Sequence, residues 1–196
     1  MSATRGDERR TALLAALEEH LERSSLDDIN IADISRRAGV TRSAFYFYFD
    51  NKAAAVAALY EEMYADGFGA AEVLGGDGTL RDRISSAIRA IGHGWGQRTH
   101  LYRAILDARA SSPAVRDQWE AFQATYVDLV AELIEDERAA GAAPPGPDAH
   151  AVATALLDLN DRTLERVVRA PGGVGADAHL EAVVHVWLSS IYGRAS

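Results

Sequence analysis

Residues 39–52 read GVTRSAFYFYFDNK and include five consecutive aromatic residues, from Phe45 to Phe49. Successive residues lie about 100° apart around a helix axis, so five such side chains cannot all face one core. Phe45 and Phe49 are four residues apart and can share a buried face. The three aromatics between them then project elsewhere, close to the arginine at position 42. This pattern predicts an exposed surface that contacts a polar, anionic partner.

The residues before this stretch indicate a second short helix. Asn30 is a favourable N-cap, and Asp33 follows it by three residues, as in a capping box. Apolar residues recur at helical spacing as far as Ala38, and Gly39 can supply the left-handed residue that ends a helix. Thr41 can cap the next helix after a turn of three or four residues. Two short helices joined by a tight, glycine-containing turn form a helix-turn-helix, whose second helix enters the DNA major groove.

The segment from Ile29 to Lys52 resembles the DNA-binding signature of the tetracycline-repressor family. The matching residues are Ile34, Ala38-Gly39-Val40, Phe45-Tyr46, Tyr48-Phe49 and Lys52. The remainder resembles one branch of that family at Trp119, Asp136-Glu137-Arg138 with Gly141, Asn160-Asp161-Arg162-Thr163-Leu164, His185-Val186-Trp187 and Ser190-Ile191-Tyr192-Gly193. The resemblance implies an all-α fold of about nine helices. A three-helix helix-turn-helix head would be followed by a larger helical body that binds a ligand and dimerises.

The predicted domain boundary falls after the helix-turn-helix. Residues 1–52 are assigned to DNA binding, and residues 53–196 to ligand binding and dimerisation. A linking helix, capped by Asp50 or Asn51, is expected to continue to about residue 70. Further helices are predicted over about 79–95, 101–110, 113–140, 148–169 and 177–192. The first of these is expected to fray through the glycines at 92, 94 and 96.

The net charge of −9 is unevenly distributed along the chain. Residues 1–52 carry eight Lys and Arg against nine Asp and Glu, whereas residues 53–196 carry twelve against twenty. Exposed charges more than about 8 Å apart are largely screened at physiological salt, so local arginines decide phosphate contact. We therefore expect weak non-specific DNA affinity and a modest dependence on salt.

Composition argues against several other classes of protein. The chain contains no cysteine, and therefore no disulfide framework or thiolate chemistry. No run approaches the roughly 20 apolar residues of a membrane span, and the charged segment 1–10 does not resemble a signal peptide. We expect a cytoplasmic protein with no membrane partner, no metal and no cofactor.

The motif and the resemblance together predict seven DNA-binding residues: Thr41, Arg42, Ser43, Tyr46, Phe47, Tyr48 and Lys52. The two hydroxyls at the start of the second helix are expected at phosphates, and the arginine between them at a guanine edge, worth about 1–3 kcal/mol of discrimination. The tyrosines are expected at phosphates and the phenylalanine between them at a thymine methyl group. The lysine, which is the only one in the chain, would be repelled by the dipole at the start of the next helix. A phosphate partner explains its position.

Several residues near this segment leave alternatives open. The exposed aromatics could instead pack the small head. Arg5, Arg9 and Arg10 fit either an arm that reaches DNA or a solvated tail. Ala44 and Ala53 depart from the family pattern, which often has a phosphate-contacting Thr or Ser at the first position and a capping glutamate at the second. The first departure is expected to lower DNA affinity.

The resemblance also implies a deep apolar tunnel in the body for a small apolar ligand. Its implied lining is Ile84, Ile88, Ile91, Trp95, Trp119, Phe122, Tyr126, Asn160 and Trp187. An apolar pocket with one or two polar anchors is the usual form of a small-molecule site. Asn160 is the implied anchor, because a mid-helix amide among leucines needs a hydrogen-bonding partner. The alternatives are that the aromatics form ordinary core and that Asn160 bonds a neighbouring helix.

The last two predicted helices are apolar over more than one core face. Wide apolar faces on terminal helices indicate an interface as well as a core. The resemblance implies that these helices pair with their copies in a two-fold dimer as a four-helix bundle. The alternative is a bundle formed wholly within one chain.

These features predict a ligand-responsive transcriptional regulator that binds a palindromic double-stranded DNA operator as a dimer. Repression, with release by the ligand, is the family default. The alternative is a helix-turn-helix protein without a small-molecule ligand, acting through protein partners or chromosome organisation. An enzyme is disfavoured, because the sequence has no nucleophile elbow or phosphate loop and its histidines lack metal spacing.

Overall fold

The computed structural model describes residues 5–65, 70–170 and 176–193. Within these ranges the chain forms ten α-helices and no β-strand, which confirms the predicted all-α fold. The helices are α1 (Arg5–Leu21), α2 (Ile31–Arg37), α3 (Arg42–Tyr48), α4 (Lys52–Ala65), α5 (Ala70–Leu74), α6 (Leu80–Gln97), α7 (Thr99–Ser111), α8 (Pro113–Ala139), α9 (Ala149–Arg169) and α10 (Ala176–Tyr192). The short α5 was not predicted as a separate helix.

The chain divides into two compact units. The head unit consists of Met1–Gly67 and Arg98–Gln118, and the body unit of Phe68–Gln97 and Trp119–Ser196. This division differs from the predicted boundary between residues 52 and 53. The difference arises because α4 packs on α1 and on α7, a helix from the middle of the chain, and so completes the core of the head unit.

Apolar side chains from α1 to α4 form the centre of the head unit. Leu13, Leu17, Ile34, Phe45 and Val56 are essentially inaccessible to solvent. Burial of each such side chain contributes roughly 1.5–3 kcal/mol, so the core holds the short helices α2 and α3, which would not persist alone. The aromatic side chain that starts the five-residue run therefore anchors α3 to the rest of the head.

In the body unit, α6 packs against α9 and α10. The predicted fraying of α6 is wrong, because the helix continues through three glycines to Gln97. A Cβ atom added to Gly92 would lie 2.3 Å from Leu180 Cδ1, so the missing side chain allows α10 to approach closely. Glycine inside a helix costs about 1 kcal/mol relative to alanine, which this contact offsets.

A polar contact joins the C-terminal ends of α8 and α10. The hydroxyl of Tyr192 on α10 donates to Glu137 Oε2 on α8 at 2.7 Å. The guanidinium of Arg81 on α6 lies 3.7 Å from the centre of the Tyr192 ring. Burial, followed by the hydrogen bond to Glu137, raises the pKa of Tyr192 well above its ordinary value. The contact therefore requires a neutral phenol.

None of the described helices is both long enough and apolar enough to cross a membrane.

Candidate nucleic-acid interface and ligand site

The ends of the helix-turn-helix form as the sequence predicts. Asn30 Oδ1 accepts a hydrogen bond from the Ala32 amide at 2.9 Å, which confirms the N-cap of α2. Gly39 has φ +68°, a left-handed conformation that glycine adopts without strain. Thr41 Oγ1 accepts from the Ala44 amide at 3.3 Å and caps α3. Capping and turn chemistry thus set the tight connection between the two helices.

The five consecutive aromatics divide between core and surface. Phe45 is 0% exposed and Phe49 is 5% exposed, as predicted. Tyr46 is 46% exposed and Phe47 is 82% exposed. Tyr48 is half-buried, and its ring meets that of Phe47 edge to face with centroids 5.0 Å apart. An apolar ring this exposed is typical of a surface that contacts another molecule. The alternative in which these aromatics pack the head does not hold for Phe47.

The exposed side of α3 carries polar groups beside these rings. Arg42 Nη2 donates to the Tyr46 hydroxyl at 3.3 Å, and the guanidinium lies 5.7 Å from the Tyr46 ring centroid. The hydroxyls of Thr41 and Ser43 lie 2.9 Å apart. One face therefore presents an arginine, two neighbouring hydroxyls and two aromatic side chains. The DNA contacts assigned to them remain predictions.

Lys52 has hydrogen-bonding partners within the protein. Its Nζ donates to the carbonyl oxygens of Leu26 at 2.6 Å, Asp27 at 3.1 Å and Ile29 at 2.7 Å. An ammonium group has three N–H donors, so these carbonyls occupy all of them. These bonds give Lys52 a structural reason for its position that does not require a phosphate, and its DNA contact remains a prediction. No feature of residue type in the sequence marks a backbone carbonyl as its partner.

The arginines near the N-terminus belong to a helix and not to an extended arm. Arg9 and Arg10 both lie within α1. Arg10 bonds Glu62 on α4, and its guanidinium lies 5.7 Å from the ring centroid of Phe49. The arm prediction is therefore wrong for Arg10, because packing within the head unit holds it. The side chain of Arg5 lies outside the described residues.

A second arginine also pairs within the head unit. Arg37 on α2 donates to both carboxylate oxygens of Glu19 on α1, at 2.6 and 2.9 Å. This hydrogen-bonded pair holds the pKa of Glu19 below its ordinary value. The bidentate contact orients α2 on α1, although an exposed pair contributes little to stability.

The residues predicted to line a tunnel fall into three groups in the body unit. Ile84 and Trp187 line one cleft together with Ile134 and Ile191, and this cleft has no room for a water molecule. Ile88, Ile91 and Asn160 line a cavity of about 10 Å³ together with Thr163, Leu164, Leu180 and Val183. Trp119, Phe122 and Tyr126 form a row of tilted and edge-on rings along α8, with successive ring centroids 6.4 and 5.1 Å apart. The side chain of Trp95 lies outside the described residues.

The cavity beside Asn160 is far below the size of a small-molecule site. Such sites enclose about 300–1,000 Å³, whereas about 10 Å³ suffices at most for a water molecule. An open groove of about 670 Å³ is lined by Arg89, Gly92, His93 and Glu181 among others. Leu180 lines both this groove and the small cavity.

Asn160 has an internal partner. Trp187 Nε1 on α10 donates to Asn160 Oδ1 on α9 at 2.8 Å. This is the alternative in which the amide bonds a neighbouring helix, and here it joins two predicted site residues. The bond fixes the orientation of the amide, and the ligand contact assigned to Asn160 remains a prediction.

One tyrosine of the α8 row is also held by the backbone. Burial raises the pKa of Tyr126, and a backbone hydrogen bond at Ala71 acts in the opposite direction. Its phenol is therefore a half-buried polar group with a backbone partner. Whether these aromatics contact a ligand remains a prediction.

Comparisons with known proteins agree with both parts of the chain. The family described as "Bacterial regulatory proteins, tetR family" matches residues 13–59. That range contains the whole helix-turn-helix and the first half of α4. The family described as "Transcriptional regulator EthR, C-terminal domain" matches residues 84–193, which include α9 and α10.

Individual relatives extend over nearly the whole chain. The HTH-type transcriptional regulator EthR of Mycobacterium tuberculosis (strain ATCC 25618 / H37Rv) is 34% identical over 193 residues, covering 96% of this chain and 89% of the relative. EthR of Mycolicibacterium smegmatis is 33% identical over 198 residues, covering 96% and 88%. The crystal structure of a putative TetR-family regulator from Rhodococcus sp. matches with a TM-score of 0.71 at 21% identity, covering 94% of this chain and 98% of that one. The chain therefore belongs to the TetR family of bacterial transcriptional regulators and carries an EthR-type C-terminal domain.

Proposed function

We propose that this regulator binds a palindromic DNA operator as a dimer and releases it when a small apolar ligand occupies the body unit. The observation that carries the proposal is the outward face of α3. Phe47 is 82% exposed beside Tyr46 and Arg42, while Phe45 holds the same helix in the core. Such a rigidly anchored, exposed aromatic and cationic face fits a recognition helix in the major groove.

The contacts follow from the chemistry of each exposed group. Arg42 offers a paired donor to the O6 and N7 atoms of guanine, and Phe47 an apolar surface to a thymine methyl group. Thr41, Ser43, Tyr46 and Tyr48 contact phosphates, which set register and orientation. The arginine is restrained by Tyr46, so less conformational freedom is lost when it meets a base edge.

The dimer forms through the outer faces of α9 and α10. Ala178, Ala182 and Val186 follow one another at four-residue intervals on α10 and are all exposed. Small side chains allow a second helix to approach closely, and Val186 at 40% exposure provides apolar area. A two-fold dimer places two copies of α3 at half-sites about 34–36 Å apart.

The ligand enters the body beside α9 and α10. Asn160 and Trp187 supply polar groups in an otherwise apolar lining, as expected of a small-molecule site. Because the cavity of about 10 Å³ is too small for such a ligand, binding requires the helices around it to separate. This movement changes the spacing of the two recognition helices. Effector and operator must weaken each other by the same factor. We expect the protein to perform this gene-regulatory role in the cytoplasm.

A second candidate function is DNA binding without a small-molecule ligand, through protein partners or chromosome organisation. The small volume of the cavity beside Asn160 favours it. The two functions differ in one measurable respect: only the first predicts a pocket ligand that lowers operator affinity.

Fluorescence anisotropy tests the DNA-binding role. The DNA is the region upstream of the protein's own gene and, if this fails, duplexes selected from a random pool. We expect tight, sequence-selective binding by the wild type and its loss in Tyr46→Ala, across a salt series. Selective binding that Tyr46→Ala retains, or no selective binding to either DNA, would refute the proposed role of α3.

Light scattering tests the dimer. We expect a stable dimer at micromolar concentration and a monomer for Val186→Glu. Ala124→Glu, on an exposed position of α8, is the matched control and should remain dimeric. A wild-type monomer would contradict the proposal.

A further inference from the structure

Lys52 donates three hydrogen bonds within the head unit. It is the only lysine in the chain and the first residue of α4. Its three bonds go to the backbone carbonyls of Leu26, Asp27 and Ile29, at 2.6, 3.1 and 2.7 Å. Since an ammonium group has three donors and no acceptor, its hydrogen-bonding capacity is filled within the protein.

These bonds join the two ends of the helix-turn-helix. Ile29 directly precedes Asn30, the N-cap of α2. Lys52 directly follows Asn51, whose Oδ1 accepts from the Ala54 amide at 2.9 Å at the start of α4. The segment that contains α2 and α3 is therefore tied at its entrance and at its exit, by residues 23 positions apart.

A phosphate contact would disturb this arrangement. A cation in the first turn of a helix is repelled by the helix dipole, and the carbonyl oxygens around Lys52 offset that repulsion. A phosphate oxygen could reach the ammonium only by sharing or displacing a carbonyl. The displaced carbonyl of Leu26 or Ile29 would then need another donor in a partly buried position.

We propose that Lys52 is a positioning residue for DNA binding. Its ammonium holds the connection between α1 and α2 at the start of α4 and so fixes the presentation of α3, while other groups contact the phosphates. This inference rests on the proposed DNA-binding function and assigns Lys52 a different role within it. Three carbonyls around one nitrogen fit a compact ammonium and do not fit the planar fork of an arginine.

The most discriminating test keeps the positive charge at position 52 and changes the shape of the side chain. Lys52→Arg is measured with an operator duplex that the wild type selects from a random pool. A positioning role predicts at least a tenfold loss of affinity although the charge is unchanged. A phosphate contact predicts that Lys52→Arg retains its affinity, because arginine binds phosphate well. Retained affinity would overturn the proposal.

The salt dependence gives a second measurement. Loss of one phosphate contact lowers the slope of log Kobs against log salt concentration by about 0.9. We expect Lys52→Met to weaken binding with no greater change of slope than Arg23→Met, which removes an exposed cation from the same connection. A slope reduced by about 0.9 beyond that control in folded Lys52→Met would also overturn the proposal.

A measurement without DNA separates this inference from the proposed function. The amides of Ala32 and Asp33 bond Asn30 and report on the start of α2. Their hydrogen exchange should be faster in both Lys52 variants than in Arg23→Met. Unchanged exchange would show that Lys52 does not hold this connection, whether or not any duplex is selected. If Lys52→Met does not fold, the DNA affinity and hydrogen exchange of Lys52→Arg decide between a positioning role and a phosphate contact.

Discussion

The indole of Trp187 donates to Asn160 Oδ1 at 2.8 Å and so connects α10 to α9 through two residues of the candidate ligand site. Trp187 is buried, and its N–H would otherwise lack a partner within an apolar surrounding. The bond gives each residue a structural role in addition to any ligand contact. If the proposed ligand binds here, its contacts depend on the same two residues that join α9 to α10.

We predict strong coupling between substitutions at these two residues. Trp187→Phe and Asn160→Leu should each destabilise the protein by about 1–3 kcal/mol, because each leaves one polar group without its partner. The double variant should cost less than the sum, by about 0.5–3 kcal/mol, since both polar groups are then absent. Urea denaturation of the four proteins measures this coupling. Additivity within about 0.5 kcal/mol would contradict a meaningful bond.

The contact between Gly92 and Leu180 gives a second prediction. A Cβ added at position 92 would lie 2.3 Å from Leu180 Cδ1, whereas one added at position 96 meets nothing within 4 Å. Gly92→Ala should therefore cost about 1–3 kcal/mol through overpacking. Gly96→Ala should stabilise the protein by up to about 1 kcal/mol through helix propensity.

Combination with a smaller neighbour tests the cause. In a Leu180→Ala background the same Gly92→Ala change should become neutral or stabilising, because the clash is removed. Leu180→Ala also removes side-chain volume from the lining of both the cavity beside Asn160 and the open groove. Thermal unfolding of the set is the measurement. An equal cost of Gly92→Ala in both backgrounds would exclude the clash as its cause.

The head could be predicted where its structure depends on neighbouring residues. The bonds at Asn30, Thr41 and Asn51 each link a side chain to an amide two or three residues away, so the sequence contains both partners. The burial of Phe45 and Phe49 likewise follows from helical spacing. These local rules were sufficient to place the helix-turn-helix.

Long-range contacts explain what could not be predicted. Lys52 binds backbone carbonyls, which every residue has, so no residue type marked its partners. Helix propensity alone disfavours Gly92 inside a helix, and only the packing of Leu180 against it explains its presence there. Asn160 was recognised as needing a partner, but the choice between Trp187 and a ligand depends on how α9 and α10 pack. Helix propensity and spacing predict the helical segments, whereas tertiary packing determines these three contacts.

Adjacent aromatics on α3 provide a third prediction. Phe45→Ala should destabilise the protein by about 3–5 kcal/mol, because it empties a fully buried site. Phe47→Ala, two residues further on, should change stability by less than about 0.5 kcal/mol, because the ring is 82% exposed. Phe47→Ala should nevertheless weaken operator binding. Urea denaturation and anisotropy on the same samples separate the two effects, and a large loss of stability in Phe47→Ala would contradict its assignment to the interface.

The fourth prediction concerns the alkaline stability of the body unit. Burial and the hydrogen bond to Glu137 raise the pKa of Tyr192 in the folded protein above its value of about 10 in the unfolded chain. A raised folded pKa means that the stabilisation is fully present below the unfolded pKa and is lost as pH rises above it. Wild-type stability should therefore decline from about pH 10 upward, with a contribution from Tyr192.

Two variants isolate that contribution. Tyr192→Phe should lower stability at pH 8 by about 1–2 kcal/mol through loss of the hydrogen bond to a charged acceptor, and should reduce the decline above pH 10. Glu137→Gln retains an acceptor but removes the negative charge that opposes phenol ionisation. It should therefore be less stable than the wild type at pH 8, and its stability should decline less steeply above pH 10. Urea denaturation between pH 8 and 11.5 gives both quantities. If Tyr192→Phe declines as steeply as the wild type, the phenol of Tyr192 is not the group that titrates, and the contact between α8 and α10 does not depend on its proton.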